Sequence, residues 1–346
     1  ENPAHGDDAR RWGPPFWHGN ATIFQSVNRN KESAAVDLKD PYQLAALREF
    51  IVEKADIVIQ NMRAGLVSQY GIGPELRAAN PRLIYCNVGA FGTTGPLSKR
   101  PGYDPLMQAF GGIMSVTGNE GQAPVRVGVS IIDQGAGMWS VIGILSALHR
   151  RALTGEGATV DTSLFETALA WTNAANASFQ ATGNAPRRLG SETPGLTPYK
   201  VFEAKNGYIL IAAGNDNLFR RLAEAIGKAD WLSDERFATN PKRVENRAMV
   251  NAAVQEVIAS RDVEYWVDLL ERANVPAAPL QPIDQVVSHP QTQALGMLQD
   301  APDTGMRLMG LPISFNGERP PLRNSPPPLG NASAAILNTR KAQAKD

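Results

Sequence analysis

Asp133 stands where an apolar run stops and small residues begin: Val127-Gly-Val-Ser-Ile-Ile-Asp133-Gln-Gly-Ala-Gly137. A carboxylate there has two chemistries open to it. As an N-cap it accepts a hydrogen bond from the first turn of the helix that follows. As a nucleophile it attacks an activated acyl carbon, with Gly135, Ala136 and Gly137 leaving room for a bulky substrate. Backbone N–H groups nearby would then stabilise the oxyanion. Both readings fit the local residues.

Other chemistries lack their parts. The four histidines, His5, His18, His149 and His289, are scattered without metal-ligand spacing, so no metal site is expected. There is no G-x-S-x-G elbow, no dinucleotide fingerprint and no P-loop; Gly89-Ala-Phe-Gly92 is the nearest glycine-rich turn. Cys86, the single cysteine, ends the apolar run Leu83-Ile-Tyr-Cys86 and reads as a buried thiol. What remains is a set of carboxylates at loop ends with arginines and aromatics around them. That pattern suits acyl transfer with an anionic carrier.

The positioning elements follow from the pattern. Residues 127–132 read as a strand-like lead-in to Asp133. Val141-Ile-Gly-Ile-Leu-Ser-Ala-Leu148 is apolar almost all round, as a buried helix is, and His149-Arg-Arg151 supplies cations suited to a helix C-terminus. Strands are predicted at residues 33–38, 56–60, 83–88 and 158–162. Helices are predicted from Pro41, a good N1 proline, to about Lys54, around 74–79, over 105–114 and over 163–182. The alternation predicts an α/β fold with a Rossmann-like parallel sheet, whose ligands bind beyond the strands' carboxyl ends. The loops at residues 61–65 and 89–95 lie at such ends.

Composition changes near Thr182, where a Gly/Pro-rich linker begins. A hairpin is predicted around Asn206-Gly207, flanked by residues 199–203 and 208–212. Helices are predicted at 218–226, 241–260 and 263–273. The expected organisation is a large domain over 1–185, a linker and small α+β domain over 186–299, and a Pro-rich segment over 300–346 returning to the large domain.

The chain has 346 residues, 43% hydrophobic, and its 34 Lys+Arg balance 34 Asp+Glu. Zero net charge points away from nucleic acid and anionic membranes as partners. No uninterrupted apolar run looks long enough to span a bilayer. A reducing compartment fits the lone thiol: the cytoplasm, or the mitochondrial matrix in a eukaryote. The opening Glu1-Asn-Pro shows neither initiator Met nor signal-peptide pattern and reads as a chain entered just after a strand.

An ordered set of motifs carries a resemblance. Gly6-Asp-Asp-Ala-Arg10-x-Trp12-Gly-Pro-Pro, Val27-Asn-Arg-Asn-Lys31, Asn61-Met-Arg-Ala-Gly65, Gly92-x-x-Gly95-Pro and Gly102-Tyr-Asp104 come first. Gly111-Gly-x-Met-Ser-x-Thr-Gly118, Asp133-x-x-x-Gly137 and a final Pro-Pro-Pro-Leu-Gly330 follow. Together they resemble the family III CoA-transferases of CaiB/BaiF type. Gly6-Asp-Asp, Ser26-Val-Asn-Arg-Asn-Lys31 and Gly214-Asn-x-x-x-Phe219 are similar to the succinyl-CoA:dicarboxylate, glutarate-like branch.

The resemblance implies CoA transfer between carboxylic acids, with Asp133 as nucleophile and CoA or acyl-CoA as substrate. It implies no permanently bound cofactor, an interlaced homodimer, and a strand-and-helix segment preceding Glu1. It places Asn61, Met62 and Arg63 in the loop that binds the CoA nucleotide. Arg29 and Lys31 meet phosphates, or only solvent. Trp12 and Tyr103 form pocket walls, and Asp104 lines the acyl pocket or is a plain turn residue. A dicarboxylate needs a cation for its second carboxylate, and Arg126, Arg187 and Arg188 are the candidates. Arg126 lies seven positions before Asp133, so in an ideal strand the two point to opposite faces.

Two other functions compete. An α-methylacyl-CoA racemase needs an acid/base pair, and no His lies between Gly118 and Asp133. A non-catalytic CoA-binding protein would not need an intact Asp133 among small residues.

Overall fold

The computed structural model describes residues 1–302 and 304–337; residues 338–346 of the expected returning segment lie outside the described residues. The chain divides into two compact units. The first comprises Glu1–Gly111, Val129–Trp171 and the segment from Val286 onward, the second Gly112–Gly128 and Thr172–Gln285.

The first unit is α/β. Ile57–Gln60, Ile84–Gly89 and Thr159–Ser163 form a three-stranded sheet in that order, parallel throughout, with Gln60 opposite Asn87 and Asn87 opposite Asp161. Side chains alternate between its faces. Leu83 and Tyr85 pack on one side with Ile51 of the helix Pro41–Lys54, whose N-terminus is capped by the Asp40 carboxylate. Ile84 and Cys86 pack on the other side with Ile144 and Ala147 of the helix Ile131–Thr154. That helix comes close because residue 143 is glycine: a Cβ there would lie 2.6 Å from Val160 Cγ1. Burial pushes the Tyr85 hydroxyl up to about 12, and the hydroxyl donates to the Ile72 carbonyl at 2.7 Å. Burial likewise raises the Cys86 thiol.

Several expected elements differ. Residues 33–38 form no ladder. The N–H groups of Ser33 and Ala35 are taken instead by the side chains of Asn331 and Ser333, at 2.7 and 2.9 Å. Residues 127–130 are irregular, so Asp133 is led in by a loop and not by a strand. The predicted 105–114 helix breaks at Gly111–Gly112, where Gly112 takes φ +86. The predicted 163–182 helix is two, Leu164–Trp171 and Asn173–Thr182, and Leu169 and Trp171 on the first are exposed. The 241–260 segment also divides, at Asn246.

The helix Ile131–Thr154 is not buried all round. Ile132, Ala136, Ser140, Ile144 and Ala147 face the core, while Met138 and Leu145 are each 59% exposed beside the exposed Val141 and Ile142. By length and composition alone it is long and apolar enough to cross a membrane, although Asp133, Gln134, Ser140 and Ser146 interrupt its apolar residues.

The second unit is α+β. Tyr199–Ala204 and Gly207–Ala212 form the predicted hairpin, and Ala277–Pro279 adds a third antiparallel strand. Asp216–Ala225, Arg247–Ile258 and Val263–Arg272 cover it, with Phe202, Ile209, Ile211, Leu222, Val254, Ile258, Trp266 and Leu270 in one core. Residues 112–128 join this unit through a bridge between Asn119 and Leu189 and the bond from Gly190 N–H to the Gly118 carbonyl. Arg243 is fully buried here. It donates to the carbonyls of Thr197, Phe237 and Gly214 and to the Asp216 carboxylate, with Phe219 beneath its guanidinium. Four of its five N–H donors are used within the unit, so this cation is structural.

Candidate active site

Asp133 is the third residue of its helix, and the N-cap position is Ser130, whose side chain makes no capping bond. The capping reading of Asp133 is therefore wrong. The helix start is closed from elsewhere. One oxygen of Asp104 accepts from the N–H groups of Ile132 and Asp133, at 2.7 and 3.2 Å. The other accepts from Gln108 Nε2 at 2.6 Å. Asp104 is 3% exposed and opens the helix Asp104–Phe110. It is more than a turn residue. A carboxylate at a helix N-terminus is favoured both by the free N–H groups and by the helix dipole.

With capping delegated to Asp104, the Asp133 side chain faces outward and is exposed. Partial desolvation of its carboxyl group, and secondarily the charge of Asp104, push its pKa up. The leading N–H groups are all occupied. Ile131 donates to Val129, Gln134 to Ser130, and the two between donate to Asp104. The expected oxyanion donors are thus not in this turn.

The small residues beside Asp133 differ in their reasons. At Gly135 a Cβ would lie 2.7 Å from Thr167 Cγ2 and 2.8 Å from Trp171 Nε1, so glycine is needed to dock the helix against Leu164–Trp171. At Gly137 nothing lies within 4 Å of an added Cβ. That position provides open space one turn from the carboxylate. Gln108, Thr167 and Trp171 were absent from the sequence-derived set; their roles depend on contacts that local spacing does not encode.

The strand-end loops lie where expected. Asn61, Met62 and Arg63 follow the strand Ile57–Gln60 and are exposed. The turn closes at Gly65 with φ +81, and Met62 N–H donates to Gln60 Oε1 at 2.7 Å. Beyond the second strand, Phe91 joins Phe110 and Phe165 in an aromatic cluster. Beside it the buried Ser163 hydroxyl donates to the Glu166 carboxylate at 2.6 Å, a pair the sequence did not flag.

Trp12 and Tyr103 are 61% and 65% exposed. Arg10 of the Gly6–Arg10 motif forks onto the Glu1 carboxylate, over the Phe24 ring, and holds that carboxyl down at about 2. Arg29 is half-buried; Lys31 is exposed and donates to Asn28 Oδ1 at 3.1 Å. Arg126 is in the second unit, on no strand, and its guanidinium donates to the carbonyls of Val127 and Gly128. The strand-parity argument for it therefore lapses. Arg187 makes an exposed pair with Glu120. Among the described residues no group of three His, Cys, Asp or Glu could hold a metal ion.

Comparison with known proteins identifies the architecture. The sequence profile of CoA-transferase family III matches residues 1–333. An acetyl-CoA:oxalate CoA-transferase from Acetobacter aceti is 38% identical, over 97% of this chain and 86% of that protein. A succinate–glutarate CoA-transferase from Agrobacterium fabrum is 35% identical, with the same two coverages. The crystal structure of a CaiB/BaiF family protein from Brucella suis superposes with a TM-score of 0.86 at 36% identity, covering 99% of this chain and 90% of that one. The chain belongs to CoA-transferase family III. It is an enzyme of CoA transfer, with acyl-CoA as substrate.

Proposed function

We propose that this enzyme transfers CoA from succinyl-CoA to a short carboxylic acid, a dicarboxylate, through a thioester on Asp133. The observation that carries the reading is the division of labour between two aspartates. Asp104 caps the helix, and Asp133, beside open space at Gly137, is left with a free carboxylate.

The Asp133 carboxylate attacks the thioester carbonyl of the donor and expels CoA thiolate, leaving a mixed anhydride. The thiolate attacks the aspartyl carbonyl, releases the donor acid and leaves aspartyl-CoA. The acceptor carboxylate then attacks this thioester and expels the thiolate again. The thiolate attacks the acceptor's acyl carbon, and Asp133 returns as carboxylate. One thioester replaces another, so no other energy source is required. Water must be kept from the anhydride. Asn61, Met62 and Arg63 would hold the CoA nucleotide, with Arg29 and Lys31 near its phosphates; Trp12 and Tyr103 would wall the acyl site.

The names of the relatives support the substrate class: oxalate for one and glutarate for another. Mixing the protein with succinyl-CoA and a panel of acids, and following acyl-CoA products by mass, tests it. Short dicarboxylates should be used in preference to monocarboxylates of similar length. Equal use of butyrate and glutarate would end the dicarboxylate assignment, and silence with every acid would end the transfer assignment.

The same reading includes a homodimer. The exposed Met138, Val141, Ile142 and Leu145 form an apolar face on the very helix that carries Asp133, and a second copy of the chain would remove that face from water. Sedimentation should show a dimer at working concentration, with activity lost on dilution to monomer. A folded, fully active monomer would contradict it.

A further inference from the structure

Three side chains on the three parallel strands form one hydrogen-bonded row, at the carboxyl end of the first strand and within the other two. Gln60, Asn87 and Asp161 are register partners on adjacent strands. Gln60 Nε2 donates to Asn87 Oδ1 at 2.6 Å, and Asn87 Nδ2 donates to Asp161 Oδ1 at 2.8 Å. At the far end, Gln60 Oε1 accepts the Met62 N–H at 2.7 Å.

The row has a direction. An ionised carboxylate only accepts, so Asp161 obliges Asn87 to turn its amide nitrogen toward it. The Asn87 oxygen then faces Gln60 and obliges Gln60 to donate. That leaves the Gln60 oxygen, and not its nitrogen, pointing at the Met62 N–H. With Gln60 reversed, the last contact would set donor against donor; with Asn87 alone reversed, its oxygen would face the Asp161 carboxylate and its nitrogen the Gln60 nitrogen. The row is partly open to solvent, so it contributes little to global stability. What it determines is the conformation of the backbone at Met62.

We propose that Gln60, Asn87 and Asp161 are positioning residues that hold the Asn61–Gly65 loop in its CoA-binding conformation, with Asp161 setting the direction of the row. This rests on the reading of Asn61, Met62 and Arg63 as the CoA nucleotide contact. Asp161 itself touches no substrate; it acts through two amides.

The test is Asp161→Asn, which keeps size and removes the acceptor-only end. Both directions of the row then become available. The KM for acyl-CoA should rise roughly three- to tenfold, the effect of one hydrogen bond. The kcat and the KM for the acceptor acid should stay within about twofold, since Asp133 is untouched. Deuterium exchange in the 61–65 peptide should quicken. The double variant Gln60→Glu with Asp161→Asn places the carboxylate at the other end, so that Asn87 donates toward residue 60 and an oxygen again faces Met62. It should restore slow exchange at 61–65. An unchanged acyl-CoA KM in Asp161→Asn would overturn the proposal, as would exchange in the double variant as fast as in the single. Wild-type transfer activity is read in parallel. If it is present while the variants behave as wild type, only the positioning role fails; if it is absent, the CoA-transfer reading fails.

Discussion

Replacing Asp133 with alanine should lower transfer on the order of 10⁴-fold or more, because the proposed covalent route loses its bond-forming group. The fold should survive. Asp133 is exposed, it caps nothing, and the N–H groups that it could have served are already bonded to Asp104. The variant should therefore keep its melting temperature and its affinity for acyl-CoA while losing turnover. Asp133→Asn should be equally inactive, since the amide is isosteric and far less nucleophilic. Near-full activity in either variant would show that another group forms the intermediate.

Asp104 should give the second largest effect, and its two variants should separate two roles. Asp104→Ala leaves the Ile132 and Asp133 N–H groups without their acceptor, and Ile132 is fully buried. The expected cost is about 1–3 kcal/mol of stability. Loss of the fixed helix start should also displace Asp133 and lower kcat by roughly 100-fold. Asp104→Asn keeps an oxygen for the two N–H groups and removes the charge. In the proposed mechanism Asp133 attacks only when ionised, and its pKa is raised by desolvation and by the Asp104 charge. As pH falls through that raised value, activity is lost. Without the neighbouring charge the Asp133 pKa drops, so the acid limb of the kcat profile should move to lower pH. A limb that moves upward, or stays in place, would show that Asp104 does not act on the nucleophile's charge.

The contrast between these two carboxylates marks how far the sequence could be read. The strand patterns at 57–60 and 84–88, the Asp40-Pro41 helix start and the Asn206-Gly207 turn are determined by neighbours a few residues away, and each formed where local patterning placed it. Asp104 followed by proline has a turn's local pattern. Its capping of a helix 28 residues later is a tertiary contact with no periodicity to announce it. The apolar residues of 127–130 suggested a strand, but short apolar runs do not discriminate strand from loop, and here Val129 is exposed in an irregular segment. Gly135 and Gly137 looked alike in the sequence. Only the packing shows that one is demanded by Thr167 and Trp171 while the other faces open space. The helix Ile131–Thr154 looked buried because its composition is apolar almost all round; the structure shows which stripe the rest of the chain covers and which it leaves exposed.

The central claim is the covalent intermediate, and trapping it is the most direct measurement. The protein is incubated with succinyl-CoA and no acceptor acid, treated with hydroxylamine, digested and analysed by mass. Hydroxylamine attacks an aspartyl thioester, releases CoA and leaves a hydroxamate on the residue that carried it. The account predicts one hydroxamate, on Asp133, dependent on succinyl-CoA and missing from Asp133→Ala. A hydroxamate on any other residue, or active transfer with Asp133 never modified, would contradict it.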